Sequence, residues 1–237
     1  MLYLYPYISF ATVDLNHYNL WADKMRADGY PVKNQKSAFG IGLGLGYKVN
    51  LLDVGVSFAI LYSSSTSGWN PINGVYSERT HSLLNFLMNL PVGLNYPLSD
   101  QFSVLVAFKP IFGYSSLRLY DSTDLRIIWQ VSDASLSSTS FGLGFEMGGD
   151  FSFSRSVSLA LRFGYDAINF RRYEGEEEER DSDGTYRKKV AFFVFDLDNN
   201  EIKVKDKYPD PSKKEIWGEE NISGFRFSLG LKIGIGR

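Results

Sequence analysis

Any chemistry in this 237-residue chain must come from a short set of side chains, because it has no cysteine and two histidines, His17 and His81. A histidine held beside a hydroxyl and an acid can act as the base that activates a nucleophile. Two groupings offer those types: His81 with Ser82, and His17 with Asp121-Ser122. Neither has the form of a catalytic motif, and a histidine among polar neighbours reads as an ordinary loop residue, so no enzyme activity is expected. The acidic run at 174–183 lacks the regular Asp/Asn/Gly spacing of a calcium loop. Thiolate metal sites are impossible and no cofactor is implied. A net charge of −2 gives no footprint for nucleic acid.

Four other charged residues stand out by their surroundings. Lys109 lies in FKPIF, Glu146 in GFEMG, Arg162 in LRFG and Arg226 in FRFS. The first three fall on consecutive strands, on the same face, at similar distances from their turns. Ions taken from water are costly unless paired. The expectation is a Lys109–Glu146–Arg162 ion network, joined by Arg226, that occludes a narrow interior.

The elements that carry these residues show themselves by alternation. In 39–47, FGIGLGLGY, one face is Phe39, Ile41, Leu43, Leu45 and Tyr47, and the other is four glycines. An extended strand points successive side chains to opposite faces. A soluble strand would turn charged or Thr side chains to water; here the second face is nearly empty, as a narrow lumen requires while the bulky face meets lipid. The same period recurs at 52–62, 84–96, 102–113, 141–148, 157–165 and 225–236, and 2–13 is apolar on both faces. That makes eight strands, close to the roughly 9–11 residues that cross a bilayer at a tilt. A soluble up-and-down barrel would reverse the faces. Tyr47, Tyr62, Tyr96, Phe102, Tyr114, Tyr165 and Phe225 fall near strand ends, where interfacial aromatic girdles belong.

Short connections at 48–51, 97–101 and 154–156 alternate with long polar ones at 14–37, 63–80, 114–139 and 166–223. This places both termini and the short turns on one side of a membrane and the long loops on the other. The fold expected is all-β: one domain over 1–237, an eight-stranded antiparallel transmembrane barrel. No apolar run of about 18 residues suggests a membrane helix. Met1-Leu-Tyr-Leu-Tyr-Pro has no basic n-region and no cleavage site, so the chain reads as a mature form with its signal peptide removed.

The hairpin formed by 86–96, a short turn and 102–114 resembles the central hairpin of small bacterial outer-membrane β-barrel domains of the OmpX, OmpA and OmpW types. Ser228, Gly230, Ile233 and Ile235 likewise resemble their C-terminal insertion signal, although Gly236-Arg237 stands where an aromatic terminus is common. The resemblance implies a bacterial outer-membrane location. It also implies lipid and lipopolysaccharide as surroundings, barrel-assembly machinery as a partner during insertion, and a monomer. Barrels of this size that modify lipid A use a rim histidine with a serine and an acid, at spacings that His17 and His81 do not reproduce.

The segment 171–220 holds 15 of the 27 acids and 11 of the 25 bases. Its acidic run reads as a solvated, mobile tip. The stretches 188–197 and 201–207, joined by Asp198-Asn-Asn200, read as a hairpin extending above the membrane. A ten-stranded barrel that takes in this hairpin is the alternative. Such a loop exceeds what a connection needs. It favours an anchored surface protein whose loops contact an unidentified extracellular ligand, as in adhesion. The other functional class is porin-like passage of small or apolar solutes, as the OmpW type suggests. Pro91 and Pro110, on two adjacent strands, could mark a lateral seam for that passage, since proline gives no N–H to a ladder.

Overall fold

The computed structural model describes residues 1–69, 75–124 and 128–235. In chain order its elements are β1 (Leu2–Thr12), α1 (Asn16–Ala27), β2 (Ser37–Val49), β3 (Leu52–Trp69), β4 (Tyr76–Asn89) and its continuation β5 (Val92–Pro97). There follow β6 (Phe102–Asp124), β7 (Trp129–Ser152), β8 (Val157–Ala167), β9 (Asn169–Arg171), β10 (Glu174–Asp181) and β11 (Tyr186–Asp196). The last are β12 (Glu201–Lys205), β13 (Glu215–Trp217), β14 (Glu219–Asn221) and β15 (Gly224–Ile235).

β1, β2, β3, β4/β5, β6, β7, β8 and β15 pair in antiparallel sequence, and β15 returns to β1, so eight staves form a closed ring. Closure leaves no backbone edge toward lipid. β11 and β12 stay outside the ring, so the ten-stranded alternative is not adopted. Large apolar side chains face out over the whole band. At the long-loop end register aligns aromatic rings: Phe10 with Phe39, Phe39 with Tyr62, Phe86 with Tyr114, and Tyr165 with Phe225. Rings at this height suit a bilayer interface. Gly236 and Arg237 lie outside the described residues.

The glycine face of β2 has a specific cause. Tyr3, Tyr5 and Tyr7 of β1 turn inward and pair with Gly46, Gly44 and Gly42. A Cβ on Gly46 would stand 2.2 Å from the Tyr3 ring, whereas one on Gly44 would be 3.3 Å from Ser57 and 3.5 Å from Tyr5. Tyr3 cannot swing aside freely because its hydroxyl donates to Asp53. Gly46→Ala is therefore expected to cost about 1–3 kcal/mol by overpacking, and Gly44→Ala much less. Urea unfolding of the two variants in lipid vesicles checks this; equal losses would refute it.

Beyond the apolar band β3, β4, β6 and β7 continue as a second storey. Their outward residues become polar: Ser64 bonds Ser82, and Thr66 bonds Thr80, each at 2.9 Å. β10 adds to the free edge of β7, β11 adds to β10, and β12 and β13 add to β11. The acidic run is thus not a mobile tip but a wall strand. Its charge is offset across the ladder, with Lys189 reaching Glu177 at 3.2 Å and Glu179 at 2.7 Å, and Lys188 reaching Glu176 at 2.6 Å.

The first long connection is likewise not a plain loop. Leu15, Tyr18, Ala22 and Met25 recur at helical spacing, and α1 buries that stripe. Gly29, with φ of 91°, ends the turn. The helix packs into the mouth of the storey over Tyr173, Phe193 and Phe195.

Candidate functional site in the barrel interior

Strand alternation sends the inward charges of five staves into one lumen, and the geometry links them in a single file of alternating sign. Tyr3 donates to Asp53, and Asp53 pairs with Lys232 at 3.0 Å. Lys232 also reaches Asp150 at 3.0 Å, and Asp150 pairs with Arg162. Arg162 lies 3.7 Å from Glu146, which lies 3.6 Å from Lys109. Lys109 pairs with Asp166 at 2.8 Å, and Asp166 with Arg226 at 2.8 Å. Four acids and four bases cancel along this chain. That neutrality lets so many ions share a narrow interior at tolerable desolvation cost.

The structure therefore brings Lys109, Glu146 and Arg162 together, but Glu146 is the looser link. Arg226 joins through Asp166 rather than through Glu146. The sequence does not single out the acids that anchor the file, Asp53, Asp150 and Asp166, or the base Lys232. Asp53 and Lys232 sit on inner faces already visible in the alternation. Asp150 and Asp166 lie just past the strand ends read there at 148 and 165. Beside the file remains a cavity of about 50 Å³ lined by Tyr3, Tyr5, Tyr7, Glu146 and Arg162 among others, room for a few waters at most.

Above the ions the lumen is closed a second time by apolar side chains. Ile168 and Phe170 turn into it over Gly113, where a Cβ would stand 2.5 Å from the Phe170 ring. Leu61, Leu83, Leu87 and Ile111 complete the same buried cluster, continuous with the core under α1.

The prolines do not open the wall. β4 pairs β6 through Asn89↔Ile111 and β5 resumes at Val92↔Phe108, so the register runs on without a bulge. It places Pro110 opposite Leu90 and Pro91 opposite Lys109. The Leu90 N–H still donates to Pro110 O, and the Gly55 N–H to Pro91 O, each at 3.0 Å. Each proline removes one donor and leaves its partner's bond standing. The strand is interrupted at Leu90 and Pro91, but the register carries across and these two bonds span the gap, so the pairing gives the lateral seam no support.

Neither histidine grouping assembles. His81 faces in, fully buried, while Ser82 faces out on the next position. His81 Nδ1 meets Gln35 Oε1 at 2.9 Å and its Nε2 meets Glu220 at 3.3 Å. Gln35 in turn donates to Ser63 at 2.5 Å, and Ser63 to the Ser37 carbonyl at 2.6 Å. This chain of bonds fixes the ring in place beneath α1. Asp121 is taken by a two-pronged contact from Arg79 at 2.6 and 2.7 Å. His17 accepts from the Glu219 N–H at 2.9 Å and stacks on Phe195 at 4.2 Å. No grouping of three or more metal-ligating side chains occurs among the described residues. Of the proposed insertion signal, Ser228 and Gly230 face the lumen and Ile233 and Ile235 face out.

The chain matches the family described as "Outer membrane protein beta-barrel domain" over residues 5–204. No curated protein sequence matches it. Among solved structures it is similar to a major outer membrane protein of Thermus thermophilus, with 13% identity, 98% of each chain covered and a TM-score of 0.48. It is also similar to Neisserial surface protein A, at 15% identity over 99% of this chain and 97% of that one, with a TM-score of 0.40. The outer membrane protease OmpT of Escherichia coli aligns at 8% identity over 99% and 96%, with a TM-score of 0.28.

Proposed function

Since the chain belongs to the outer membrane protein beta-barrel domain family, we propose that it is a non-conducting anchor in the bacterial outer membrane. In this reading the ring holds a rigid, folded storey outside the cell, where it serves contact with other molecules. One observation carries it: the interior is filled at two levels, by the neutral file of ions and by the aromatic core beneath α1. An eight-stranded ring leaves space for side chains alone, and here those side chains are mutually paired rather than lining a water column.

The storey supports the contact role. A connection needs only a few residues, whereas 166–223 builds four strands of wall, a further two-stranded pair and part of a core. Loops on rigid scaffolds are where binding residues collect. The protein refolded into a planar lipid bilayer is expected to give no single-channel steps. Reproducible steps of fixed conductance would overturn the anchor role in favour of solute passage.

A further inference from the structure

We infer that the mouth of the storey holds a binding site for an organic cation, an ammonium or guanidinium group carried on an alkyl stem. The site lies on the inner side of the wall, above α1, and opens away from the membrane. Register builds it in two rows. Arg79, Asp121, Ser132 and Glu179 stand side by side on the inner faces of β4, β6, β7 and β10. Ser77, Thr123, Gln130 and Asp181 stand one step above them. Between these rows and β12 is a cavity of about 270 Å³, lined by Asp121, Thr123, Gln130, Ser132, Glu177 and Val204. That is far more than the roughly 10–15 Å³ one water needs.

Among the described residues the lining offers acceptors and no cation. Arg79 is engaged elsewhere: it grips Asp121 at 2.6 and 2.7 Å and lies 4.7 Å over the Trp21 ring of α1. Gln130 is exposed at the rim, and Glu177, 4% exposed, lies at the bottom. Ser132 donates to one Glu177 oxygen at 2.5 Å, and the other, Oε2, receives no hydrogen bond. Lys189 Nζ stands 3.2 Å from that oxygen but donates to Glu179 at 2.7 Å, so two carboxylates share one ammonium. Arg187, the next inward cation of β11, is exposed to solvent. A buried carboxylate short of both a donor and a full counter-charge is costly, and a ligand cation supplies both.

The same lining turns other ligands away. Anionic groups would face two carboxylates. A hard metal ion takes roughly six to eight oxygens, and no grouping of three or more metal-ligating side chains occurs among the described residues. Val204 gives an alkyl stem an apolar surface to lie against while its charged head reaches Glu177.

The inference deepens the contact role proposed above and rests on it; conductance steps would remove that role and leave binding here still measurable. For the site itself, the refolded protein in neutral detergent micelles is titrated calorimetrically with spermidine and with a Gly-Arg-Gly peptide blocked at both ends. The matching citrulline peptide is the neutral control. Wild type is expected to bind at least one of the two cations, and the citrulline peptide at least about tenfold more weakly. Glu177→Gln keeps the size and an acceptor for Ser132, leaves Lys189 to Glu179, and should weaken cation binding about tenfold. Gln130→Arg, at the exposed rim, should fill the cavity with a guanidinium from the chain itself and abolish binding. Heat-modifiable electrophoretic mobility confirms that each variant is folded. Binding of spermidine without the arginine peptide assigns the cation to a free polyamine, and binding of the peptide assigns it to a protein side chain. The site is overturned if neither cation binds, if the arginine and citrulline peptides bind equally, or if either variant binds the cation as wild type does.

Discussion

Asp166→Asn should be the most damaging single change in the lumen, costing on the order of 3–5 kcal/mol. Asp166 is 2% exposed at its side chain and is the partner of two cations, Lys109 and Arg226, each at 2.8 Å. Its loss leaves Lys109 with the looser Glu146 contact at 3.6 Å, and strips Arg226 of its carboxylate partner. A buried charge without a partner is worse than no charge. Asp53→Asn should cost far less, because Lys232 keeps Asp150 at 3.0 Å. The double variant Asp166→Asn, Arg226→Gln should recover a large part of the loss, since it removes the orphan with its partner. Equilibrium urea unfolding in vesicles checks all three. A loss below about 1 kcal/mol for Asp166→Asn, or simple additivity in the double variant, would show that the file of charges is hydrated rather than coupled.

That file also shows how far alternation reads. Period two decides which side each residue faces, so the inward orientation of Lys109, Glu146 and Arg162, and the eight staves themselves, follow from one strand at a time. Partnership does not. Asp150 and Asp166 complete the file, yet they stand where the outward apolar run gives out, and a strand end is the least certain boundary in any pattern. The prolines fail for a related reason. A count out from the 97–101 turn sets Pro91 near Ala107, whereas the register puts it opposite Lys109, two residues on. Whether a missing donor opens a seam depends on the neighbour's bonds, which only the pairing supplies.

The second storey is the least legible part because its stability is almost wholly non-local. Glu174 to Glu179 looks like a solvated run until Lys188 and Lys189 are known to lie alongside. Helix α1 is a polar dozen whose apolar stripe has meaning only against Phe193 and Phe195, more than 160 positions away. The glycines of β2, by contrast, read as an empty face with no sight of what fills it. The three tyrosines of β1 are in plain view, but on a strand apolar on both faces and so hard to orient.

Acidification should loosen the seat of α1, with a loss of roughly 3 kcal/mol between about pH 6.5 and pH 4. Burial against Phe195 pushes the His17 imidazole down to about 4, against a smaller opposing pull from the Glu219 charge. The hydrogen bond gives the same answer independently: Nδ1 accepts from the Glu219 N–H, which a protonated ring could not do. The unfolded chain takes up its proton near pH 6.5 and the folded one only near 4, so the unfolded state gains ground across that window as pH falls. Glu220 works the other way. Burial raises its carboxyl, so the folded state holds that proton more tightly and part of the loss is offset on acidification. The two are separated by His17→Gln, which keeps an acceptor for the Glu219 N–H and does not titrate. Wild type should lose about 2 kcal/mol between about pH 7 and pH 5 by urea unfolding, and His17→Gln should lose little or gain, because Glu220 then acts alone. An acid loss in the variant equal to that of wild type would place the sensitive group elsewhere and leave His17 as mere packing.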